Sequence, residues 1–417
     1  MKLLISDKDG KIFAHPYLEG AGMKNSAFFR LRPEDIIKLP AGSRIFTLPG
    51  RLPVGYNSAT SKFEVCNDTG YALAAFLPPG FTLTYNSAFR ERGNPAMLPL
   101  FSYAPLIAHR GGFYTTALRV DKDKRHDHRF IKIGDVRRGI KELRKMFPKN
   151  RLIRHLEKCA LVNNCPNAQN LFLKRYEAPL PVSPYCNARC AGCISFQEAK
   201  ACRATQPRIK FIPTPEEIAE IALLHIGNVR KPIVSFGQGC EGEPLIHGDI
   251  IEKAIQLIRK DTSRGTINMN TNGSKPEMAA RLFDAGLDGI RVSLNSVQKK
   301  YYIKYYRPNG YRFEDVLKTI QTAKGMGGFV SINYLTMPGF ADSKGEFTAF
   351  NRFLRRYKPD MIQWRNLNYD PVRYFNILGM RPDGLGSIGI KEAIKSLKRD
   401  FPRLKMGYFN PYASFKL

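Results

Sequence analysis

Strand and helix signals alternate through the second half of the chain, and this alternation constrains the fold more than any other feature. Short apolar runs typical of buried strands recur five times, at 232–237, 265–270, 288–294, 328–334 and 360–366. The clearest helical pattern begins at Thr214, an N-cap residue, with Pro215 in the first turn and Glu217 completing a capping box. Such alternation implies parallel strands joined by right-handed crossovers. With one more strand at 178–184, we predict six βα units in a partial (β/α)6 TIM-like barrel, an α/β fold.

The chain before this region has a different character. Its first part has short apolar runs separated by Gly, Pro and Asn, with a hairpin predicted to turn at 110–112, which is typical of a small β-barrel or sandwich. A basic helical stretch follows, which Pro148 divides into two helices. We therefore expect a β-rich N-terminal domain, a basic helical linker, a core and a C-terminal helical extension, at residues 1–135, 136–178, 179–371 and 372–417.

The charge of the chain is strongly positive. Lys and Arg number 66 against 36 Asp and Glu, a formal net charge of +30. The segment 119–158 alone contains 15 Lys and Arg against 6 Asp and Glu. Such a field favours encounter with anionic partners, RNA or another polyanion among them. The alternative is a solvated basic surface with no such partner.

Three features of composition indicate the compartment. No apolar stretch approaches the roughly 18 residues of a membrane helix. The first residues, MKLLISDKDGK, turn charged too early for a signal peptide. Eight cysteines are too sparse for a disulfide scaffold in a chain of this length. We expect a cytoplasmic protein with no membrane partner.

A cysteine loop follows directly after the strand at 178–184. Cys186, Cys190 and Cys193 have the spacing Cys-x3-Cys-x2-Cys. Three thiolates on one short loop can coordinate three corners of a cubane cluster, leaving the fourth iron open to another ligand. A structural zinc site closes with four ligands, and no His or Cys follows at zinc-finger spacing. The spacing therefore favours an open-cornered iron-sulfur cluster.

The segment CNARCAGC resembles the signature loop of the radical S-adenosylmethionine (radical SAM) superfamily. Further along, FGQGCEGEPL is similar to the family's Gly-Gly-Glu-Pro motif, MNTNG to its Thr-Asn-Gly, and IRVSLNS to its Val-Ser-Leu-Asp-Ser. The resemblance spans about 179–371. It implies a 4Fe-4S cluster held by Cys186, Cys190 and Cys193, with SAM bound at the free iron. Reduction of the cluster by a donor such as flavodoxin or ferredoxin would then cleave SAM to a 5′-deoxyadenosyl radical.

The resemblance also assigns SAM contacts, and the chain departs from the family in two places. The matched positions at the strand ends are Gly242, Glu243, Thr271, Asn272, Ser293 and Asn295. Their alternative roles are ordinary turn capping or a hydrogen-bonded polar pair in the core. Gly192 replaces the aromatic residue that packs on the adenine, and Glu241 replaces the first glycine of the Gly-Gly-Glu motif. The resemblance does not indicate which residue abstracts or donates a proton, so the catalytic residues are unassigned.

Five further cysteines precede or follow the signature loop. Cys159, Cys165 and Cys202, with Cys66 or Cys240, could hold an auxiliary iron-sulfur cluster; the alternative is that they are buried structural thiols. On the sixth strand, Trp364 and Arg365 are expected near the substrate opening, with core packing as the alternative for Trp364.

Three functions are consistent with these features. The leading hypothesis is a radical SAM enzyme that modifies a large anionic substrate such as RNA or a ribonucleoprotein. The second is a radical SAM enzyme that modifies a peptide, a protein or a small metabolite. The third is a non-catalytic iron-sulfur protein that binds nucleic acid.

Overall fold

The N-terminal part of the chain folds into antiparallel β-structure. The computed structural model describes residues 1–66, 70–198, 202–380 and 386–412. The hairpin predicted at 110–112 is confirmed: Arg110 and Gly111 both have positive φ, 46° and 71°, as a two-residue type I′ turn requires. Within the described residues, β9 and β15 form a separate pair and the other strands here form one sheet. These strands are β1 Lys2–Ser6, β2 Ile12–Lys24, β3 Ala27–Arg30, β4 Ile37–Lys38, β5 Arg44–Leu48, β6 Arg51–Asn57, β7 Lys62–Val65, β8 Tyr71–Phe76, β9 Phe81–Leu83, β10 Asn86–Ser87, β11 Phe89–Glu91, β12 Ala104–Pro105, β13 Ile107–His109, β14 Gly112–Thr115 and β15 Ala117–Arg119.

The basic segment is helical, as the sequence predicts. Helices α1 (Ile133–Met146) and α2 (Arg151–Leu161) lie on either side of Pro148, and α3 (Pro166–Phe172) follows. Each of the first two helices buries one apolar face, and their basic residues stay exposed. Asn150 caps α2 by accepting the backbone N–H of Ile153.

The second half of the chain forms a parallel sheet whose strands are in chain order. Its strands are β16 Glu177–Pro179, β17 Ile233–Phe236, β18 Thr266–Thr271, β19 Gly289–Leu294, β20 Phe329–Thr336, β21 Met361–Asn366 and β22 Lys405–Gly407. The partial α/β barrel is confirmed, with a seventh strand beyond the six expected. β22 was not predicted, because its three residues, Lys-Met-Gly, form no apolar run.

Helices connect these strands. They are α4 Pro215–Asn228, α5 Gly248–Asp261, α6 Pro276–Asp284, α7 Lys299–Tyr306, α8 Phe313–Gly325, α9 Lys344–Tyr357, α10 Pro371–Leu378 and α11 Ile390–Asp400. The capping box predicted for the first of them is present, since Thr214 and Glu217 bond each other's backbone. No helix of the described residues is long and apolar enough to cross a membrane.

The segment after β22 crosses from one side of the sheet to the other. The amide of Asn410 donates to Glu177 on the first strand (2.8 Å) and accepts from Gln363 on the sixth (3.0 Å). The lumen of the half-barrel is therefore polar at this level, and the first and sixth strands are joined by side-chain hydrogen bonds.

The N-terminal β-structure packs against the carboxyl end of β21, at the mouth of the half-barrel. Asn366, the last residue of β21, donates to the carbonyl of Phe81 (2.9 Å), and Thr82 donates to the carbonyl of Trp364 (2.8 Å). Below these contacts, Arg51 pairs with Asp370 at 3.0 Å, with both side chains almost fully buried. The ion pair fixes the N-terminal region to the segment that leads into α10.

Removal of the Arg51 charge should strongly destabilise the chain. In Arg51→Met, Asp370 would stay buried without its cation, and we expect the free energy of unfolding to fall by about 3 to 5 kcal/mol. Denaturant unfolding of the full chain measures this. The matched control is Arg30→Met, because Arg30 pairs with Glu19 on the surface, where the loss should stay below about 1 kcal/mol. Equal stability of the two variants would contradict the role given to the buried pair.

Candidate active site

The cysteine loop lies at the carboxyl end of β16, as the order of strand and motif predicts. Its backbone is anchored to the end of α7: the N–H of Ala191 donates to Tyr305 O (3.0 Å), and that of Arg189 donates to Tyr306 O (3.0 Å). These bonds fix the chain on both sides of Cys190. The three loop cysteines are each partly buried, so one end of the loop remains open to a ligand.

The surroundings of the loop thiols suit metal coordination. The guanidinium of Arg208 lies 3.7 Å from the Cys193 sulfur and donates to Ser195, whose hydroxyl is 3.3 Å from the same sulfur. A cation and a hydroxyl at this distance stabilise thiolate charge. Burial raises the pKa of Cys186 to about 11 and that of Cys190 well above its ordinary value. A metal that binds here must therefore displace protons from these thiols.

The loop does not have the compactness of a single-ion site. Zn–S bonds of about 2.3 Å in a tetrahedron place ligand sulfurs about 3.8 Å apart. Within the described ranges, one group of three metal-binding side chains has its ligand atoms all within 4.8 Å, and the loop cysteines are not in it. Three thiols on a loop, more widely spaced, fit a multi-iron cluster.

Glu241 joins the ends of the first two strands. One carboxylate oxygen accepts the N–H groups of Val182 (2.8 Å) and Ser183 (3.1 Å), and the other accepts those of Gly237 (2.6 Å) and Gln238 (2.9 Å). Burial raises the pKa of Glu241 to about 7 against these four donors. The departure from the family's first glycine therefore has a structural role, which is to hold the start of the cysteine loop.

Gly242 lies directly against the cysteine loop. Its N–H donates to Ser183 O (2.7 Å), and a Cβ on it would lie 1.9 Å from the carbonyl oxygen of Tyr185. The close approach that requires glycine is thus to the residue before Cys186. Its expected contact with SAM remains a prediction.

Glu243, Thr271 and Asn272 bond one another at the ends of β17 and β18. The carboxylate of Glu243 accepts the Thr271 hydroxyl and the Asn272 N–H. The Asn272 amide donates to the side chain of Asn187 in the cysteine loop (2.8 Å). Most polar atoms of these three predicted SAM contacts therefore already have hydrogen-bond partners within the protein. Through Asn187, the same bonds hold the cysteine loop in place.

Ser293 and Asn295 lie on and just after β19, and the strand beside it contributes Asn333. The Asn333 amide donates to the Ser293 hydroxyl (2.9 Å), and that of Asn295 donates to the Tyr374 hydroxyl (3.2 Å). The side-chain oxygens of Asn333 and Asn295 are buried and have no hydrogen-bond partner among the described residues. Two unpaired acceptors fit the ammonium and hydroxyl donors of SAM. Asn333 was not predicted, because in the apolar run GFVSINY it reads as part of a buried strand.

The packing around Gly192 explains why the chain has no aromatic side chain at this position. A Cβ on Gly192 would lie 2.9 Å from the Tyr305 hydroxyl and 3.3 Å from the Tyr369 ring, so two buried tyrosines occupy the space that an aromatic side chain there would need.

Trp364 is 1% exposed and packs edge-on to Tyr334, facing the helices. Core packing, the alternative given for Trp364, is therefore what the structure shows, and Arg365 faces the opposite side because adjacent strand residues alternate.

Two cations face the lumen of the half-barrel. Arg291 donates to Gln363 (3.1 Å), and its Nε is buried without a partner among the described residues. Burial, together with the charge of Arg365, lowers the pKa of Arg291 to about 9. Arg365 stacks over the Tyr408 ring at 4.0 Å. The carboxylate of Glu177 acts on Arg291 but is also held by Arg125 and Asn410, so the lumen favours an additional anion.

Comparison with known proteins identifies this arrangement. The family model of the radical SAM superfamily matches residues 180–350, which include the cysteine loop and the ends of β17, β18 and β19. The half-barrel region belongs to the radical SAM superfamily. Enzymes of this family use a 4Fe-4S cluster and SAM as cofactors.

Curated relatives of this radical SAM protein differ in what they make. The FeMo cofactor biosynthesis protein NifB of Klebsiella pneumoniae is 25% identical over 180 residues, and the GTP 3′,8-cyclase of Corynebacterium glutamicum (strain R) is 29% identical over 162. The alignments cover 39% and 37% of this chain and 38% and 40% of the relatives. The chain thus spans about two fifths of these relatives. The crystal structure of methylornithine synthase aligns with a TM-score of 0.38 and 15% identity, over 66% of this chain and 74% of that one.

The other cysteines of this radical SAM protein fall into two groups. Cys159 and Cys240 come together with His155, and Cys165 lies beside them. Cys66 is buried in the N-terminal β-structure, and Cys202 is buried beside the backbone of Leu100. An auxiliary cluster that includes Cys66 or Cys202 has no support in the described structure.

A methyl group on Gly242 should displace the cysteine loop. In Gly242→Ala the Cβ would overlap the Tyr185 carbonyl, so the loop must shift by about 1 Å or more, and we expect SAM cleavage to fall by about 100-fold with a loss of bound iron. Iron content and 5′-deoxyadenosine yield after anaerobic reconstitution are the measurements. Gly227→Ala, where a Cβ meets no atom within 4 Å, is the matched control and should behave as wild type. Full iron with reduced SAM affinity would instead indicate a direct SAM contact.

Proposed function

We propose that this protein cleaves SAM reductively at a cluster held by Cys186, Cys190 and Cys193, and uses the resulting radical on an anionic substrate. The observation that carries the first part is the loop itself: three thiols at the carboxyl end of a parallel half-barrel, with no fourth protein ligand in the loop. The open corner is where SAM would bind.

The residues of this chain have separate tasks in that reaction. When bound, the cluster and SAM would supply the radical chemistry that removes a hydrogen atom from the substrate. Glu241 and Asn272 position the loop through their bonds to its backbone and to Asn187. Ser293, Asn295 and Asn333 offer polar atoms to SAM on the adjacent strands. The N-terminal β-structure covers one side of the mouth and limits solvent entry. An electron donor such as flavodoxin or ferredoxin would reach the cluster from the exposed side of the loop.

The charges of the lumen residues favour a substrate that has an anionic group. Arg291 and Arg365 are the lumen cations next to the strand ends, and Arg291 retains an unpaired donor. A carboxylate or phosphate of the substrate would satisfy that donor and relieve the repulsion between the two guanidinium groups. A neutral substrate would not relieve the repulsion between the two guanidinium groups.

The cations on the exposed face of α1 favour a substrate that is large enough to extend beyond the lumen. Arg137, Lys141 and Lys145 recur at every fourth residue, are exposed, and have no ion pair in the described ranges. By contrast, Arg138 pairs with Asp135 in the same helix. A stripe of three unpaired cations suits the backbone of an RNA strand.

Loss of any signature cysteine should abolish both iron binding and SAM cleavage. We expect Cys186→Ala, Cys190→Ala and Cys193→Ala each to lose the cluster, because two thiolates cannot hold a cubane with one free iron. Iron, sulfide and 5′-deoxyadenosine are measured after anaerobic reconstitution. Cys202→Ala, at a buried cysteine outside the Cys-x3-Cys-x2-Cys spacing, is the control and should keep all three. Wild-type iron in a signature variant would overturn the ligand assignment.

If RNA is the substrate, its binding should depend on salt through the α1 stripe. Each lost phosphate contact lowers the slope of log K against log salt by about 0.7 to 0.9, so Arg137→Gln, Lys141→Gln and Lys145→Gln together should lower it by about 2 to 3. Binding of total RNA at several salt concentrations measures the slope. The control removes three exposed cations of α11, Lys395, Lys398 and Arg399, and should leave the slope unchanged. Equal slopes in the two variants would favour a peptide or small anionic metabolite as substrate.

A further inference from the structure

A second set of metal-binding side chains converges between α2 and the loop after β17. His155 and Cys159 lie four residues apart on α2 and project from the same face. The His155 Nε2 is 3.5 Å from the Cys159 sulfur. Cys240 approaches from the loop, and one ligand atom from each of the three residues lies within 4.8 Å of the other two. Among the residues that the structure describes, this is the one group of this kind.

A fourth ligand is available from the turn between α2 and α3. The backbone N–H of Cys165 donates to the carbonyl of Cys159 (3.0 Å), so the two residues are held together. Burial, with the nearby thiol of Cys159, raises the pKa of Cys165 to about 11. The hydrogen bond with Cys159 and burial raise the pKa of Cys240 well above its ordinary value, and the charges of Cys159 and then Cys165 add to this. The three thiols therefore act on one another within a single buried space.

We propose that His155, Cys159, Cys165 and Cys240 bind one zinc ion. Three thiolates and one imidazole are a closed tetrahedral set of the structural type. Zn–S bonds of about 2.3 Å and Zn–N bonds of about 2.0 Å need ligand atoms about 3.5 to 3.8 Å apart. The 3.5 Å between His155 and Cys159 matches this, and Cys240 lies within 4.8 Å of both. The Cys165 thiol lies outside this group of three and would have to turn toward it to complete the site. A cubane cluster needs more room than the triad leaves. The site is separate from the signature loop, and its assignment does not depend on the reaction proposed above.

The physical reason for a metal here is the burial of the ligands. Cys159 and Cys240 are 1% and 3% exposed, so no solvent is present to stabilise a thiolate. A divalent cation would accept all three thiolates and the imidazole at once. Since a zinc site of this kind forms only in the folded chain, its binding free energy adds to stability.

The position of the site indicates what the ion does. It would link α2 and the α3 turn to the loop in which Cys240 precedes Glu241 and Gly242. The carbonyl of Cys240 also accepts the N–H of Ile209 (2.8 Å), in the segment that returns from the cysteine loop. Zinc would therefore fix the position of the loop that contains Glu241 and Gly242, and this loop in turn contacts the cysteine loop.

The experiment measures metals in a chain that cannot hold the signature cluster. The full chain with Cys186→Ala, Cys190→Ala and Cys193→Ala is purified anaerobically, and zinc, iron and sulfide are determined by mass spectrometry and colorimetry. We expect about one zinc ion per chain and only background iron. In the same background, Cys159→Ser should lose the zinc, whereas Cys202→Ser should keep it. His155→Gln, at a less buried ligand, gives a second variant if Cys159→Ser does not fold.

Other outcomes would overturn the proposal. Iron and sulfide that disappear with Cys159→Ser would identify an auxiliary iron-sulfur cluster in place of zinc. Absence of both metals, with three free thiols instead of the five that remain after removal of three from eight, would identify a Cys159–Cys240 disulfide. Five free thiols and no metal would show that the cluster of side chains is only structural. Retention of zinc in Cys159→Ser would place the ion elsewhere.

Discussion

The carboxylate of Glu241 is the interaction on which the arrangement of the cofactor site depends. It accepts four backbone N–H groups, two at the end of β16 and two at the end of β17, which as strand ends have no ladder partner. The cysteine loop leaves from the first of these ends and Gly242 from the second. Because one side chain sets the distance between the two ends, the cysteine loop and the loop that contains Gly242 are positioned as one unit.

A glycine in this position, as in the related motif, would leave these four donors to other partners. The side chain costs the protein the burial of a carboxylate, and the raised pKa of Glu241 reflects that cost. Four donors offset it. The same loop then continues through Glu243, whose carboxylate ties the next strand end to the cysteine loop through Asn272 and Asn187. Two nearby buried glutamates, Glu241 and Glu243, thus hold the strand ends and the cysteine loop together through side-chain hydrogen bonds.

Much of the fold can be predicted from the sequence, because many of its elements depend on patterns of neighbouring residues. The apolar runs, the capping box at Thr214 and the spacing of the cysteines each depend on neighbours within a few residues. The strands and the capping box are confirmed, and the cluster ligands stay a prediction. What could not be predicted depends on distant residues or on short elements. The strand β22 has only three residues, and Asn333 is one polar residue in an apolar run. The meeting of Cys159 with Cys240 joins segments that are separated by most of two βα units.

The buried pair between Arg51 and Asp370 has a consequence for how the chain is made. The two residues are 319 positions apart. At about 5 to 20 residues per second, a ribosome needs about 16 to 64 s to reach Asp370 after it has made Arg51. During that time Glu91 is the acidic partner available to Arg51. The N-terminal β-structure can begin to fold during synthesis, but its docking face is completed only after Asp370 has been made.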